Sequence, residues 1–403
     1  MNIEEKESNR KLQFTLATFL FIVAIIFFAT TVRTPITGVG TIISYIRDDL
    51  GISNTLAGFL TTIPLLAFAI VSPFTPKVAR KFGMEYTLFY SLILLSIGIL
   101  LRSVGNVPLL LFGTVLIGVA ISFGNVLFPS LFKSKYPYHV GLLTGIYTVS
   151  MNISAAASLA FSQPIAENTS FGWQGALGCT VVLALLTMIV WIPLLRGKRV
   201  ETGNDSNSNR DKDFKIWRSS LAWAIALSMG LQSLLFYCST AWIPEILVSQ
   251  GLSLERAGFM ASIMQLAQMP VTFFMPILAE KLSSQRPIVY FFTVCYLISF
   301  SGILFQWTDL VLLWMILLGL AAGASFGLVL MFFTLRTRTA YEASEISGFA
   351  QSIGYLLSAI GPVLFGFIQE VTGTWHIPNV LFIITVLLLF IFTFISSKKG
   401  YIS

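Results

Sequence analysis

Residues 51–60 read GISNTLAGFL, and residues 251–260 read GLSLERAGFM. The match is ungapped at an offset of 200 positions. It continues downstream, where Ile63, Leu66, Ala67, Phe74, Pro76, Ala79 and Lys81 recur as Ile263, Leu266, Ala267, Phe274, Pro276, Ala279 and Lys281. The chain is therefore a duplication. Both copies lie in strongly apolar sequence, and parallel repeats of membrane helices are a signature of secondary transporters. Further along, Ser122-Phe123-Gly124 returns as Ser325-Phe326-Gly327, Thr144-Gly145 as Ser347-Gly348, and Trp173 as Trp375. The offset drifts to 202–203 there, as loops of slightly different length produce.

Of the 403 residues, 56% are hydrophobic and 11% are charged, against about a quarter charged in an ordinary soluble protein. A membrane-crossing helix takes about 20 mostly apolar residues. Twelve stretches qualify: 12–46, 54–74, 84–104, 106–132, 139–163, 171–195, 218–248, 254–278, 286–306, 309–335, 344–370 and 376–396. The longest are expected to tilt or to project beyond the bilayer. The expected fold class is an all-α integral membrane protein with twelve transmembrane helices in two pseudo-symmetric six-helix bundles. Residues 197–216, GKRVETGNDSNSNRDKDFKI, are polar and nearly free of apolar side chains, and such composition reads as a flexible linker. The domain reading is a first half at 1–196, a linker at 197–217 and a second half at 218–403.

Charge orients the chain. With the amino terminus inside, 21 of the 25 basic residues fall on cytoplasmic segments, Arg47, Arg102 and Arg256 fall at the opposite side, and Arg33 falls within a helix. This is the positive-inside pattern, and it places both termini in the cytoplasm. The basic residues are spread over loops, so the high pI reports topology, and nucleic acid is not an expected partner. Residues 1–11 are of mixed charge, and the first apolar run is too long for a signal peptide core. That suits a multi-pass protein of a bacterial cytoplasmic (inner) membrane.

Enzymatic chemistry finds no support. There is no H-E-x-x-H, no phosphate loop G-x-x-x-x-G-K-[ST], and no nucleophile–base set. Missing the phosphate loop also argues against an ATP-driven pump within this chain. Cys179, Cys238 and Cys295 lie in apolar stretches without ligand spacing and are expected to be small buried residues. No cofactor and no metal are expected.

Arg33 stands out on physical grounds, near the middle of the 12–46 stretch with no other charge comparably placed. A charge at the bilayer centre costs about 2.5–3.5 kcal/mol on insertion scales, so it normally faces a cavity and a partner. All 18 acidic residues fall in tails, loops or helix ends, Glu245 and Glu370 coming closest to the membrane interior. A guanidinium is a planar, permanently charged fork suited to carboxylate-like groups. Arg33 is thus the candidate anchor for an anionic or strongly electron-rich substrate. The alternative is that it snorkels outward or caps carbonyls freed by Pro35 and the Gly38/Gly40 break.

Neutral polar and aromatic residues at membrane depth complete the candidate substrate site: Asn125, Tyr147, Asn152, Gln232, Tyr237, Gln265, Gln268, Gln351 and Tyr355. Gln265 and Gln268 are three apart, and Gln351 and Tyr355 four apart, so each pair can share a helix face. The alternative for each is interhelical hydrogen bonding, worth about 0.6 kcal/mol.

Twelve helices in two similar halves joined by a long loop resemble the major facilitator superfamily. Thr75-Pro76-Lys77-Val78-Ala79-Arg80-Lys81-Phe82-Gly83 is similar to that superfamily's loop 2–3 signature, with Ala79 in place of the usual acidic residue. Finer motifs resemble the cyanate/nitroimidazole transporter family, the CynX/NimT group. They are Arg33-Thr34-Pro35-Ile36-Thr37-Gly38-Val39-Gly40, Gly124-Asn125-Val126-Leu127-Phe128-Pro129, Gly230-Leu231-Gln232-Ser233, and Ser347-Gly348-Phe349-Ala350-Gln351-Ser352. The resemblance implies transport of small solutes, with cyanate import and nitroaromatic efflux as the named activities, and a substrate site near the membrane midplane.

The expected function is secondary transport of a small anionic or polar solute, cyanate-like or a small organic anion, by alternating access. The alternative is a multidrug or nitroimidazole exporter. The expected partners are the substrate, the lipid bilayer and a proton or counter-ion, and the chain is expected to act as a monomer.

Overall fold

A computed structural model of the chain describes residues 15–195 and 216–402. All but the last two positions of the 197–217 linker lie outside the described residues. Among those described, fifteen α-helices occur and no β-strand. Twelve helical segments are long and apolar enough to cross a membrane.

The chain divides into two compact units, Met1–Ser208 with Thr339–Ser344, and Asn209–Arg338 with Glu345–Ser403. The first holds α1 (Leu16–Thr37), α2 (Val39–Leu50), α3 (Asn54–Val71), α4 (Thr75–Phe82), α5 (Met84–Arg102), α6 (Val107–Lys135), α7 (Val140–Asn168), α8 (Gly172–Gly178) and α9 (Thr180–Leu195). The remaining helices are α10 (Ser220–Ser249), α11 (Leu254–Lys281), α12 (Arg286–Leu304), α13 (Val311–Leu335), α14 (Ala340–Thr372) and α15 (His376–Ser396).

The repeated G-x-S that opens each copy is a helix-to-helix turn. Gly51 and Gly251 adopt positive φ of 61° and 97°, a conformation that glycine enters without a Cβ penalty. Two residues later Ser53 Oγ accepts from the Leu56 amide at 3.2 Å, and Ser253 Oγ from the Arg256 amide at 3.3 Å. Each serine caps the next helix by satisfying one of its free N–H groups. The duplicated motif thus encodes the same turn twice.

Packing in the second unit rests on small residues. Gly319, Gly323 and Gly327 recur every four positions along α13, so they form one stripe. A Cβ on Gly319 would stand 2.2 Å from the Met264 carbonyl of α11, and one on Gly323 would stand 2.7 Å from that of Gln268. The backbones approach too closely for any side chain there. In the first unit Gly118 of α6 plays this part against Ala67 and Pro64 of α3.

The first stretch, 12–46, is two helices divided at Gly38, the break that the sequence marks. The sixth, 171–195, is one span made of α8 and α9, which meet at Cys179. The structure corrects two expectations. Cys179 is exposed, whereas Cys238 and Cys295 are buried as expected. Among the described acidic residues, Glu85 is the buried one, 6% exposed and paired with Lys135 at 2.9 Å, while Glu245 and Glu370 are exposed. The first turn of α5 looked like a helix end in the sequence. Packing against the end of α6 is what buries it.

Candidate functional site

The first unit joins two of the candidates, Tyr147 and Asn125. Gly124 on α6 has no side chain, and a Cβ there would meet Phe28 of α1 at 2.7 Å. The glycine therefore lets α1 close on α6. Phe28 then packs edge-on to Phe128 at 4.8 Å, and Phe128 lies 4.7 Å from the Tyr147 ring of α7. Phe132 and Trp191 complete this aromatic cluster. Held on its ring, Tyr147 is 6% exposed, and its hydroxyl donates to Asn125 Oδ1 at 3.2 Å.

Arg33 itself is half-buried, and its Nε is buried without a hydrogen-bond partner. An unpaired buried donor of a charged group is costly, and native structures normally satisfy it with protein, water or ligand. A guanidinium with unspent N–H capacity can take up a planar O–X–O group, a carboxylate or a nitro group alike. Asn152 is half-buried on α7. Five positions beyond Tyr147, it lies about 140° around the helix, so the two do not share a face.

In the second unit the amides are largely committed to neighbouring hydroxyls. Gln232, 2% exposed, accepts from Ser233 Oγ at 3.3 Å. Gln265 Nε2 donates to Thr240 Oγ1 at 3.4 Å, and Gln351 Nε2 to Ser347 Oγ at 2.9 Å. Gln268 is 5% exposed, with its Oε1 buried and unpartnered. Gln265 reaches α10, and the backbone of Gln268 lies in the seam with α13. Tyr237 packs its ring against Phe236 at 5.3 Å, and Tyr355 is half-buried.

One residue escaped the sequence reading. Arg102, at the end of α5, is 2% exposed and more deeply buried than Arg33. Position alone grouped it with outward-facing basic residues. The available signal was its isolation at the end of an apolar run, with no basic neighbour.

Residues 19–362 match the Major Facilitator Superfamily. The chain belongs to this superfamily. A relative from Bacillus subtilis (strain 168), named an uncharacterized transporter YycB, is 45% identical over 93% of this chain and 92% of its own length. The 2-nitroimidazole transporter of Escherichia coli (strain K12) is 39% identical over 89% of this chain and 90% of its own. The cyanate transport protein CynX of the same organism is 20% identical over 88% and 91%. Among solved structures, the proton:xylose symporter XylE superimposes with a TM-score of 0.76 at 14% identity, covering 96% of this chain and 98% of that one, which shows the fold. This superfamily member is thus a multi-pass membrane transporter rather than an enzyme, and the CynX/NimT motifs identify its nearer relations.

Proposed function

We propose that the chain carries a small anionic or electron-rich planar solute across the cytoplasmic membrane by alternating access, with Arg33 as the substrate anchor. The observation that carries this reading is the buried, unpartnered Nε of Arg33. Asn152, Gln232, Tyr237, Gln265, Gln268, Gln351 and Tyr355 are the further candidate contacts. In this reading the two six-helix halves, 1–196 and 218–403, supply the moving parts, and both termini and the 197–217 linker are cytoplasmic, which the distribution of basic residues supports. The bacterial inner membrane, a monomeric working state and coupling to a proton or counter-ion belong to the same reading.

A second reading, efflux of nitroimidazoles, is favoured by the 39% identity to the 2-nitroimidazole transporter. Both readings leave Arg33 a role, because a nitro group presents two oxygens much as a carboxylate does.

The test is ligand-induced thermal stabilisation of the purified wild type and Arg33→Gln, since a ligand of the native state raises its stability by mass action. The ligands are cyanate, nitrate, short carboxylates, 2-nitroimidazole and organic cations. Anions that stabilise the wild type and not the variant support the anion carrier. If 2-nitroimidazole alone behaves this way, the exporter reading holds with Arg33 reading the nitro group. Equal stabilisation of both proteins by every active ligand removes Arg33 from the site.

A further inference from the structure

The break in the first spanning segment is held from two sides. Pro35 lacks an amide hydrogen and disrupts the preceding helix ladder. The Gly38 amide reaches the Thr34 carbonyl only at 3.4 Å. Two successive carbonyls just ahead of the break then take side-chain donors from other helices. Ser158 Oγ of α7 donates to Thr34 O at 2.9 Å, and Arg102 Nη1 of α5 donates to Pro35 O at 2.8 Å. Gly38 allows α7 to sit there, since a Cβ would stand 2.5 Å from Ser158 Oγ and 2.3 Å from Ser162 Oγ.

Arg102 is an expensive way to make one such bond. Its Nε and Nη2 are buried without partners, and no acidic side chain pairs with it among the described residues. A buried cation without a counter-ion is destabilising relative to an apolar side chain of similar volume. Its one compensation is the carbonyl end of α1, where the helix dipole favours positive charge. Stability therefore does not account for the residue, whereas its location does: Pro35 lies two residues beyond Arg33.

We infer that Arg102 is a positioning residue for Arg33. Together with Ser158, it fixes the broken end of α1, so that the Arg33 guanidinium is presented at one depth and one orientation. Without the clamp, the segment between Arg33 and Gly40 gains freedom, and the ordering must occur when substrate binds. The inference rests on the reading of Arg33 as substrate anchor, and its test separates the two.

The experiment has two arms on the full-length protein. The first measures affinity for whichever of cyanate, nitrate or 2-nitroimidazole stabilises the wild type. Arg102→Met is expected to weaken binding about tenfold, as loss of one hydrogen bond to a charged group does. Arg102→Lys, which keeps a donor and the charge, restores most of that. In an Arg33→Gln background Arg102→Met has no further effect, as coupled positions require.

The second arm places a nitroxide on Gly40→Cys, where a Cβ has nothing within 4 Å, after Cys179→Ser, Cys238→Ala and Cys295→Ala. Arg102→Met is expected to raise label mobility without ligand, and Ser158→Ala to do so more weakly. If Arg102→Met does not fold, Ser158→Ala reads the same clamp. Unchanged mobility in both variants overturns the clamp whatever Arg33 does. Raised mobility with ligand affinity indifferent to Arg33→Gln leaves the clamp standing and removes the anchor.

Discussion

The segments leading into Gly51 and Gly251 are copies of one ancestor, yet one is broken and the other is not. Before Gly51 the chain forms α1 and α2, divided at Gly38. Before Gly251 it forms the single 30-residue α10. At the offset of 200, Arg33 faces Ser233 in register, Pro35 faces Leu235 and Gly38 faces Cys238. The contact beneath is kept, but its small partner has changed sides. In the first repeat Gly38 on the leading helix receives Ser158 of α7. In the second, Cys238 on α10 presses on Gly361 of α14, where a Cβ would stand 2.9 Å from Sγ. Gly361 is itself the counterpart of Ser158 at the offset of 203. Close helix contact is thus a property of the seam rather than of either residue. The first repeat adds a charge, a proline and two side-chain clamps to it, and the proposed substrate anchor is on that side.

The largest test of this asymmetry is charge. Arg33→Gln is expected to weaken binding of the stabilising anion about 30-fold or more, the scale for removing one partner of a buried charged contact. Its counterpart Ser233→Ala should change affinity by less than about twofold, because the Ser233 hydroxyl serves only Gln232. Titration calorimetry on both variants decides it, and comparable losses would mean that the halves share the anchoring role.

Next in size is the seam. Gly38→Ala drives a methyl into Ser158 and Ser162 and should cost about 1–3 kcal/mol. Adding Ser158→Ala and Ser162→Ala should recover part of it by removing both hydroxyls. In the second repeat Gly361→Ala should be relieved by Cys238→Ala in the same manner. Thermal unfolding in detergent reads both series, and a Gly38→Ala protein as stable as the wild type would refute close packing at the break.

Much of the architecture was legible because membrane helices write their existence in composition. Residues such as Gly51, Ser53, Gly251 and Ser253 even encode the turn between them. The aromatic support of Tyr147 was not legible, since Phe28, Phe128 and Trp191 come from three helices and no spacing in the chain relates them. Arg102 was misread for a related reason. Distance along a hydrophobic run measures depth, whereas burial against α6 and α1 depends on which face the side chain takes. The Gly38/Gly40 break was visible in the sequence, but its clamps at Arg102 and Ser158 lie 67 and 124 positions from the carbonyls they hold.

Tyr147→Phe keeps the ring among Phe128 and Phe132 and removes only the bond to Asn125. It should weaken binding by about 1 kcal/mol, roughly fivefold. The smallest effect sets a polar group of the second unit against that one. Gln268 leaves Oε1 buried and unpaired in the α11 seam, so Gln268→Leu removes an unsatisfied acceptor. Where that acceptor contacts nothing, the change is neutral or slightly stabilising, within about 0.6 kcal/mol, and transport continues. Where it is held in reserve for substrate, thermal stability still holds or rises, but ligand no longer stabilises the variant as it does the wild type. Stability and ligand response therefore separate in one experiment. A second-unit amide that behaves in the latter way would give that half a share of the recognition proposed for the first.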